Sequence, residues 1–531
     1  MERESDGRSW WTRMVGALDG MGATLEREWF LCLVPIACVY PLITAIAAHR
    51  PFWFDELFTF YMTRLPSMSA VWAALKDGAD LNPPLFYAAT RFFQNLFGSS
   101  EAVTRMPAII GFFVMMVGLF CFVSRYGSRL GGMVAMLFPL VTGAYYYAFE
   151  ARAYGMELGF VALAAVSWQA ATRGEKRPFT LPALSLCLAG ALLTHCYAVL
   201  AVAPFGFAEV ARSLVRKKFD WPVWAALAIP CLVVVTYLPM MSAVTGGDPF
   251  DNPVYRVSAR TSYEMILVPA IWTLLPALAV LALFGTAGHR AADARRETVP
   301  FHEMVLVAGF LVAPLLGVGL ASTITKIFMA RYGLVAVLGL SIALGALVTK
   351  RTAQHPGVAV LVIAIVAGGY LWTPANVLLG TSASNTPAAK DIKLSDLDPT
   401  IPIVVANGIL FLEYDHYESK NITDRLFFLI DRDTALRYTG TPGFAQFREL
   451  RKWFPIRSHL EDYNQFLKTC PTFYLISAYQ FPMDWTMQKM RDDGVPLTFV
   501  NQFTSDQGTT ILAKVSRPKP DSDSAVKPGI K

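Results

Sequence analysis

The chain has 531 residues, of which 54% are hydrophobic and only 16% are charged. Soluble domains usually carry about 25% charged residues, so this composition excludes an ordinary soluble protein and indicates a polytopic membrane protein. The formal net charge is +6, but Lys and Arg occur in short clusters between apolar runs. They form no basic stripe of the kind that binds nucleic acid, which excludes that class of partner.

The first 28 residues carry several arginines and acids beside the pair Trp10-Trp11. A cleaved signal peptide ends in a small-residue cleavage site, and none follows the first apolar run. Residues 1–28 are therefore predicted to remain as a cytoplasmic interfacial segment.

Eleven apolar runs follow, most of them close to the roughly 20 residues that a helix needs to cross a bilayer. They occupy residues 30–48, 104–124, 130–149, 154–172, 180–194, 196–213, 221–243, 263–286, 303–324, 331–349 and 356–375. The fold class predicted from them is an all-α polytopic membrane protein with about eleven transmembrane helices, over residues 29–379.

A large loop, 49–103, separates the first two runs. In its stretch 83–98, apolar side chains recur at helical spacing while Thr90, Arg91 and Gln94 share the opposite face. This pattern predicts an amphipathic helix that lies on the membrane surface and does not cross it.

The number of spans that precede each loop decides the side of the membrane on which the loop is predicted to lie. With 83–98 on the surface, five basic loops fall on one side, as the positive-inside rule requires of the cytoplasmic face. These loops carry Arg125/Arg129, Arg173/Lys176/Arg177, Arg216/Lys217/Lys218, Arg290/Arg295/Arg296 and Lys350/Arg351. Loop 49–103, the 244–262 loop and everything after residue 376 are predicted to face the exterior.

The tail is more polar and alternates short strand and helix patterns. Strands are predicted over IPIVVA, LFFLID, TFYLIS, LTFV and TTILAKV, and helices over 443–454 and 484–493. Residues 380–531 are therefore predicted to form a small α/β domain on the exterior side, joined by a linker over 380–390.

Polar and charged side chains gather at the predicted exterior ends of the runs. They are Asp55 and Glu56 in PFWFDELFTFY, Asn82 before a proline pair, Glu150, Arg152 and Tyr154 in FEARAYG, His195 and Tyr197 in THCYA, and Lys326, Arg331 and Tyr332 in TKIFMARYG. Each alone is typical of a surface anchor. Together they suit a reaction on a lipid with a phosphate headgroup, because a carboxylate can accept a proton from an attacking hydroxyl while cations stabilise a departing phosphate.

The order of these motifs resembles the membrane glycosyltransferases of the GT-C fold. FDE in the first exterior loop, PPL at the next helix, then EARAY, TH-x-Y and a late RY are most similar to bacterial relatives of the protein O-mannosyltransferases and of the lipid A aminoarabinose transferase. The resemblance implies a GT-C-like fold in the bacterial inner membrane with a periplasmic C-terminal domain. It also implies a polyprenyl-phosphate sugar donor and a glycan, lipid or protein acceptor.

By the same resemblance, the first-loop acid maps to Asp55, as the base toward the acceptor hydroxyl, with Glu56 beside it. Relatives carry His or Lys where this chain has Asn82, so contact with the donor phosphate would fall to other cations. The candidates for substrate contact are Asn82, Glu150, Arg152, Tyr154, His195, Tyr197, Lys326, Arg331 and Tyr332.

Dependence on a metal ion is left open by the sequence. Some members of the family hold a divalent ion near the first-loop acid, and the ligand types available here are Asp55, Glu56, Glu150 and His195. Their separation in the sequence is not a metal-ligand spacing, so no cofactor is assigned.

Two alternatives to a glycosyltransferase fit the sequence less well. A lipid or sugar transporter places its binding groups near the membrane midplane, whereas the charges here lie at the ends of the runs. A membrane anchor for an exterior sensor domain leaves loop 49–103 without a role.

Overall fold

The structure is a computed structural model that describes residues 2–245, 258–285, 299–378, 392–478, 484–505 and 508–517. The predicted linker 380–390 lies outside these residues. The chain divides into two compact units. The first contains Met1–Arg50, Pro66–Gly247 and Tyr255–Ala383, and the second contains Pro51–Leu65, Asp248–Val254 and Ser384–Lys531. The segment with the two predicted acids therefore groups with the tail.

Helices account for most of the described residues before residue 380. In chain order they are α1 (Glu2–Arg27), α2 (Phe30–Ala47), α3 (Phe54–Arg64), α4 (Met68–Lys76), α5 (Leu85–Phe97), α6 (Glu101–Ser124), α7 (Arg129–Leu137), α8 (Tyr154–Thr172), α9 (Arg177–Thr194), α10 (Val199–Arg216), α11 (Trp221–Ala228), α12 (Val233–Thr245), α13 (Ala259–Leu267), α14 (Ile271–Phe284), α15 (Phe301–Leu320), α16 (Ala336–Arg351) and α17 (Pro356–Leu378). Tighter or wider helical turns occur at Phe138–Val141, Gly143–Ala148, Cys196–Ala198, Ile229–Leu232, Ala321–Thr325 and Ala330–Gly333.

Each of the eleven predicted apolar runs contains a helix. Within the described residues, six helices are long and apolar enough to cross a membrane, and a seventh results if α13 and α14, bent by 76°, form one span. The six are Glu101–Ser124, Arg177–Thr194, Cys196–Arg216, Trp221–Met240, Phe301–Thr325 and Ala330–Arg351. The predicted number of eleven spans is not confirmed, because α2, α7 and α17 are apolar over only 10–17 residues and α8 contains the polar residues Glu157 and Gln169.

The amphipathic helix predicted over 83–98 is present as α5. Phe92, Leu96 and Phe97 are each more than half exposed, as expected of an apolar face turned toward lipid. Thr90, predicted on the polar face, is instead fully buried. That face packs on α6, where Gln94 donates a hydrogen bond to Thr104 at 3.0 Å.

α1 is tied to two other helices of the first unit through carboxylates. Asp19 accepts the backbone N–H of Gly357 at 2.9 Å, in the first turn of α17. Glu26 accepts the N–H groups of Arg129 and Leu130, in the first turn of α7. Since the first N–H groups of a helix lack partners within it and attract negative charge, α1 caps both helices.

α6 and α8 pack with their backbones in close contact. A Cβ atom added at Gly155 would lie 2.5 Å from the carbonyl oxygen of Ala108, and one added at Gly159 would lie 2.4 Å from that of Gly111. The pair is a GxxxG pattern, which permits this approach in membrane helices. The packing fixes the first turn of α8, which contributes to the candidate site.

The described tail contains a six-stranded sheet in the order β3-β2-β1-β4-β6-β5. The strands are β1 (Ile403–Val405), β2 (Leu426–Ile430), β3 (His459–Asp462), β4 (Thr472–Ala478), β5 (Leu497–Ser505) and β6 (Gly508–Ser516). β3, β2, β1 and β4 pair in parallel, and β4-β6 and β6-β5 are antiparallel.

The five predicted strands are all present, and only the edge strand β3 was missed, because its four residues include two acids. The helices of the tail are α18 (Gly408–Tyr417), α19 (Lys420–Thr423), α20 (Arg432–Thr439), α21 (Phe447–Leu450), α22 (Tyr463–Thr469) and α23 (Thr486–Asp492). α21 is much shorter than the predicted 443–454, and α18 was not predicted.

Candidate functional site

A buried ion pair joins two turns of the first unit. Arg152, just before α8, places Nη1 2.9 Å from Oδ2 of Asp80 and Nη2 3.4 Å from Oδ1. Both side chains are less than a tenth exposed. The Tyr87 hydroxyl donates to Oδ2 at 2.7 Å and the N–H of Leu81 to Oδ1 at 2.6 Å. This two-point contact fixes the plane of the guanidinium.

The charge of Asp80 is maintained by these partners. Burial raises the pKa of its carboxyl, but the Arg152 guanidinium and the hydrogen bonds from Arg152, Tyr87 and Leu81 outweigh burial and hold the pKa below its usual value. Asp80 is therefore ionised at neutral pH. The sequence analysis did not select it, although it stands two residues before Asn82, which is itself buried in the same loop.

His195 lies in an aromatic environment at the start of α8. Its Nδ1 is 3.1 Å from Oε2 of Glu157, and the ring packs against Tyr154 at 5.1 Å and Tyr332 at 5.2 Å between centroids. The histidine is only 4% exposed. The imidazole is therefore enclosed by rings and lies beside a carboxylate.

Tyr197 and Tyr332 stack with ring centroids 4.4 Å apart. The Tyr197 hydroxyl is 2.5 Å from Oγ1 of Thr325 and donates to the carbonyl of Ile327. These groups flank Lys326, which is exposed and has a positive φ of 61°, a conformation uncommon for residues with a side chain. The turn thus holds a lysine beside the tyrosine pair.

The loop of Asp80 and the turn of His195 are connected directly. The thiol of Cys196 donates to the carbonyl of Leu81 at 3.2 Å. The structure therefore brings six side chains from four separated turns into one group. We call Asp80, Arg152, Glu157, His195, Tyr197 and Tyr332 the polar cluster. Of the other predicted residues of this unit, Glu150 is buried and Arg331 is partly buried at the Ala330–Gly333 turn.

The two predicted acids occupy the first turn of α3 in the second unit. Glu56 is fully buried, and its Oε2 accepts the backbone N–H of Trp53 at 3.3 Å. Asp55 is partly buried. Acidic side chains are common in the first turn of a helix.

A third acid, Glu413 of α18, lies beside this turn. Its Oε1 accepts the N–H of Phe54 at 3.2 Å. Burial, reinforced by the charge of Glu56 and opposed by that hydrogen bond, raises the pKa of Glu413 to about 8. Sequence reasoning missed this residue because 359 positions separate it from Phe54.

A second group of charges, buried or partly buried, occupies the other end of α8. Oε1 of Glu303 is 3.3 Å from Nη2 of Arg173. Arg212 contacts Oε1 of Glu209 at 2.7 Å and Oδ2 of Asp220 at 3.1 Å. We call this group the arginine network, which also includes Arg177, paired to Asp220 at 2.5 Å. Each of its carboxylates is paired with an arginine.

A metal centre is not formed by the described residues, among which no three His, Cys, Asp or Glu side chains are grouped as ligands. Of the ligand types considered from the sequence, Asp55 and Glu56 belong to the second unit and Glu150 and His195 to the first.

Comparisons with known proteins identify the fold. No protein-family model and no curated protein matches the sequence. Solved structures do match, among them ArnT from Cupriavidus metallidurans bound to undecaprenyl phosphate, with a TM-score of 0.52 and 13% identity over 91% of this chain and 97% of that one. Apo ArnT from the same organism matches with a TM-score of 0.40 and 14% identity over 92% and 98%. The first of these shows that the chain has the fold of ArnT, a GT-C fold enzyme, as predicted.

Proposed function

We propose that this protein is an integral-membrane glycosyltransferase that transfers a sugar from a polyprenyl-phosphate-linked donor to an acceptor hydroxyl on the periplasmic side of a bacterial inner membrane. The observation that supports it most is the likeness, over 91% of this chain, to a protein bound to undecaprenyl phosphate. The polar cluster agrees with it, since ionised, aromatic and hydroxyl groups converge at one end of apolar helices.

Arg152 is proposed to contact the donor phosphate. Asp80, whose Oδ2 is 2.9 Å from Nη1 of Arg152, fixes the plane of the Arg152 guanidinium but also neutralises its charge. The net positive charge that attracts a phosphate must therefore come from Lys326 and Arg331, with the amide of Asn82 as a further donor. The phosphate accumulates charge as the sugar leaves, which these groups stabilise.

The stacked Tyr197 and Tyr332, with His195 and Tyr154 packed nearby, are proposed to shape the donor site. Their rings provide rigid apolar faces with polar tips, which suit a ligand that has both a hydrophobic chain and a polar head. Glu157 orients His195 from 3.1 Å, and Glu150 is assigned to the same site.

Asp55 is proposed as the general base. It removes the proton from the acceptor hydroxyl as the hydroxyl oxygen attacks the anomeric carbon. The bond between that carbon and the phosphate oxygen breaks, the polyprenyl phosphate leaves with the electron pair, and a single displacement inverts the anomeric carbon. Glu56 supports the base by capping α3, since it is fully buried and bonded to Trp53.

The test compares envelope extracts by mass spectrometry from cells with the chain, without it, and with Asp55→Asn. We expect cells lacking the chain to lose one sugar mass from an envelope lipid, glycan or protein and to accumulate the sugar-linked polyprenyl phosphate. Asp55→Asn should reproduce that loss while the folded protein is retained.

Asp433→Asn is the matched control, because Asp433 also lies in the first turn of a helix but is exposed. Full transfer by Asp55→Asn would remove the base assignment. If the intact sugar-linked lipid moved across the membrane of liposomes that contain the protein, and no sugar were transferred to an acceptor, the protein would be a transporter and the proposal would be wrong.

A further inference from the structure

The start of α3 is held by side chains, two of them from α18. Three consecutive backbone N–H groups each donate to a side-chain oxygen: Phe52 to the Tyr417 hydroxyl at 2.6 Å, Trp53 to Glu56 at 3.3 Å, and Phe54 to Glu413 at 3.2 Å. Trp53, at the N-cap position, has no side-chain oxygen with which to cap the helix. α18 supplies the acceptors that its own N-cap residue lacks.

The rest of α3 is also seated on the tail. The Tyr61 hydroxyl lies 2.9 Å from Nδ1 of His416 in α18. The Phe58 ring meets Phe454 edge-on with centroids 5.0 Å apart, and Phe54 meets Phe444 at 5.5 Å. Since these contacts span residues 54 to 61, about two turns of helix, α3 cannot rotate about its axis without breaking several of them.

We propose that Glu413 is a positioning residue, which holds the N–H of Phe54 and thereby sets the direction in which the adjacent Asp55 presents its carboxylate. The inference rests on the proposed function, because the direction of the Asp55 carboxylate matters for transfer only if Asp55 is the general base. It also gives the tail a specific role, namely to supply the cap of the helix that carries the base.

The electrostatic environment explains how two buried glutamates can share this turn. Glu413 is 4% exposed and Glu56 is fully buried, and two ionised carboxylates there would repel each other. A raised pKa keeps Glu413 protonated at neutral pH, and its carbonyl oxygen can still accept from Phe54. Glutamine is neutral, has nearly the same shape and offers the same acceptor, whereas leucine offers none.

The experiment uses the full chain with Glu413→Gln, Glu413→Leu and the control Glu449→Leu, since Glu449 is exposed on α21 of the same unit. Each variant is returned to cells that lack the chain, and envelope transfer is measured by mass spectrometry. The purified variants are then studied by hydrogen–deuterium exchange of the amides of residues 52–57 and by binding of undecaprenyl phosphate.

We expect Glu413→Gln and Glu449→Leu to transfer at the wild-type rate. Glu413→Leu should transfer roughly 100-fold more slowly, the scale of loss expected from a misdirected catalytic group, with faster exchange at 52–57 and unchanged lipid binding. Rescue by the neutral glutamine separates an acceptor role from a need for charge.

Three results would overturn the inference: wild-type transfer by Glu413→Leu, equal losses in Glu413→Gln and Glu413→Leu, or unchanged exchange at 52–57 in Glu413→Leu. Failure of the proposed function gives a different pattern. The wild-type chain would then leave the envelope unaltered, although Glu413→Leu still showed faster exchange than Glu413→Gln.

Discussion

The two ends of α8 carry buried charges that are organised in opposite ways. The helix has 19 residues and so rises about 28 Å. At its start, the polar cluster combines one ion pair with an imidazole and two tyrosines. At its end, the arginine network pairs Arg173, Arg177 and Arg212 with carboxylates.

The arginine network is a structural clamp, that is, a set of ion pairs that holds helices together, whereas the polar cluster is a candidate site. In the arginine network, charges on α9, α10 and α15 and at the end of α8 neutralise one another, and removing Arg212 leaves the buried Glu209 uncompensated. In the polar cluster, Asp80 and Arg152 neutralise each other, and the surrounding hydroxyl and ring nitrogen atoms are groups that can donate to or accept from a ligand. Similar residues thus stabilise the fold at one end and suit binding at the other.

The largest expected effect comes from breaking the clamp. Arg212→Leu leaves the buried Glu209 without its arginine and removes one of the arginines that contact Asp220, which should cost about 3–5 kcal/mol of unfolding free energy and greatly reduce the yield of folded protein. Thermal unfolding of the purified chain measures this loss. The control is Arg216→Leu, since Arg216 lies 3.6 Å from Asp220 and is 44% exposed. Equal stability of both variants would contradict the clamp.

At the other end, Arg152→Gln should weaken binding of undecaprenyl phosphate by about 10- to 100-fold, the scale of a lost charged hydrogen bond. It should also destabilise the chain, because Asp80 then lacks its cation. The double variant Asp80→Asn/Arg152→Gln separates the two effects, and it should recover thermal stability but not lipid binding. Recovery of both would show that Arg152 is only structural.

The first unit pairs acids with cations, whereas in the second unit two acids, Glu413 and Glu56, lie side by side. Because folding raises the pKa of Glu413 from 4.5 to about 8, its ionisation opposes the folded state, and stability present below pH 4.5 is lost progressively as pH rises toward 8. Wild-type stability should therefore fall between about pH 4.5 and pH 8, on the order of a few kcal/mol at most. Glu413→Gln should show a flatter pH profile in thermal unfolding, and identical profiles would contradict the assignment.

The smallest effect is expected at Tyr197. Tyr197→Phe removes the hydroxyl contacts to Thr325 and Ile327 but keeps the stack on Tyr332, so it should cost about 1 kcal/mol of stability and change lipid binding little. Tyr197→Leu loses the stack as well and should weaken binding further. Abolished lipid binding in Tyr197→Phe would instead place the hydroxyl on the ligand.

Features governed by local pattern could be predicted from the sequence. The apolar runs, the amphipathic α5 and five strands follow from periodicity within short windows. The predicted number of spans was not confirmed, because polar residues such as Glu157 make a continuous helix like α8 less apolar. The GMELG sequence at Gly155–Gly159 is a GxxxG pattern, which indicates close helix packing but does not identify α6 as the partner.

The candidate site was predictable in composition but not in its contacts. The turns that contain Arg152, His195, Tyr197 and Tyr332 could be identified, and the structure brings those side chains together. Their partners could not be identified, because Asp80 is 72 positions from Arg152 and Glu413 is 359 from Phe54. Pairings at such separations depend on packing, which no local window contains.

The capping of α17 by α1 has a consequence for the order of events during synthesis. Asp19 accepts from an amide that lies 338 positions later in the chain. The ribosome must therefore reach α17 before α1 can make both of its capping contacts. A nascent chain stalled before Gly357 would hold α1 to α7 through Glu26 but not to α17, so an increase in the resistance of α1 to a protease reports that α17 has been made.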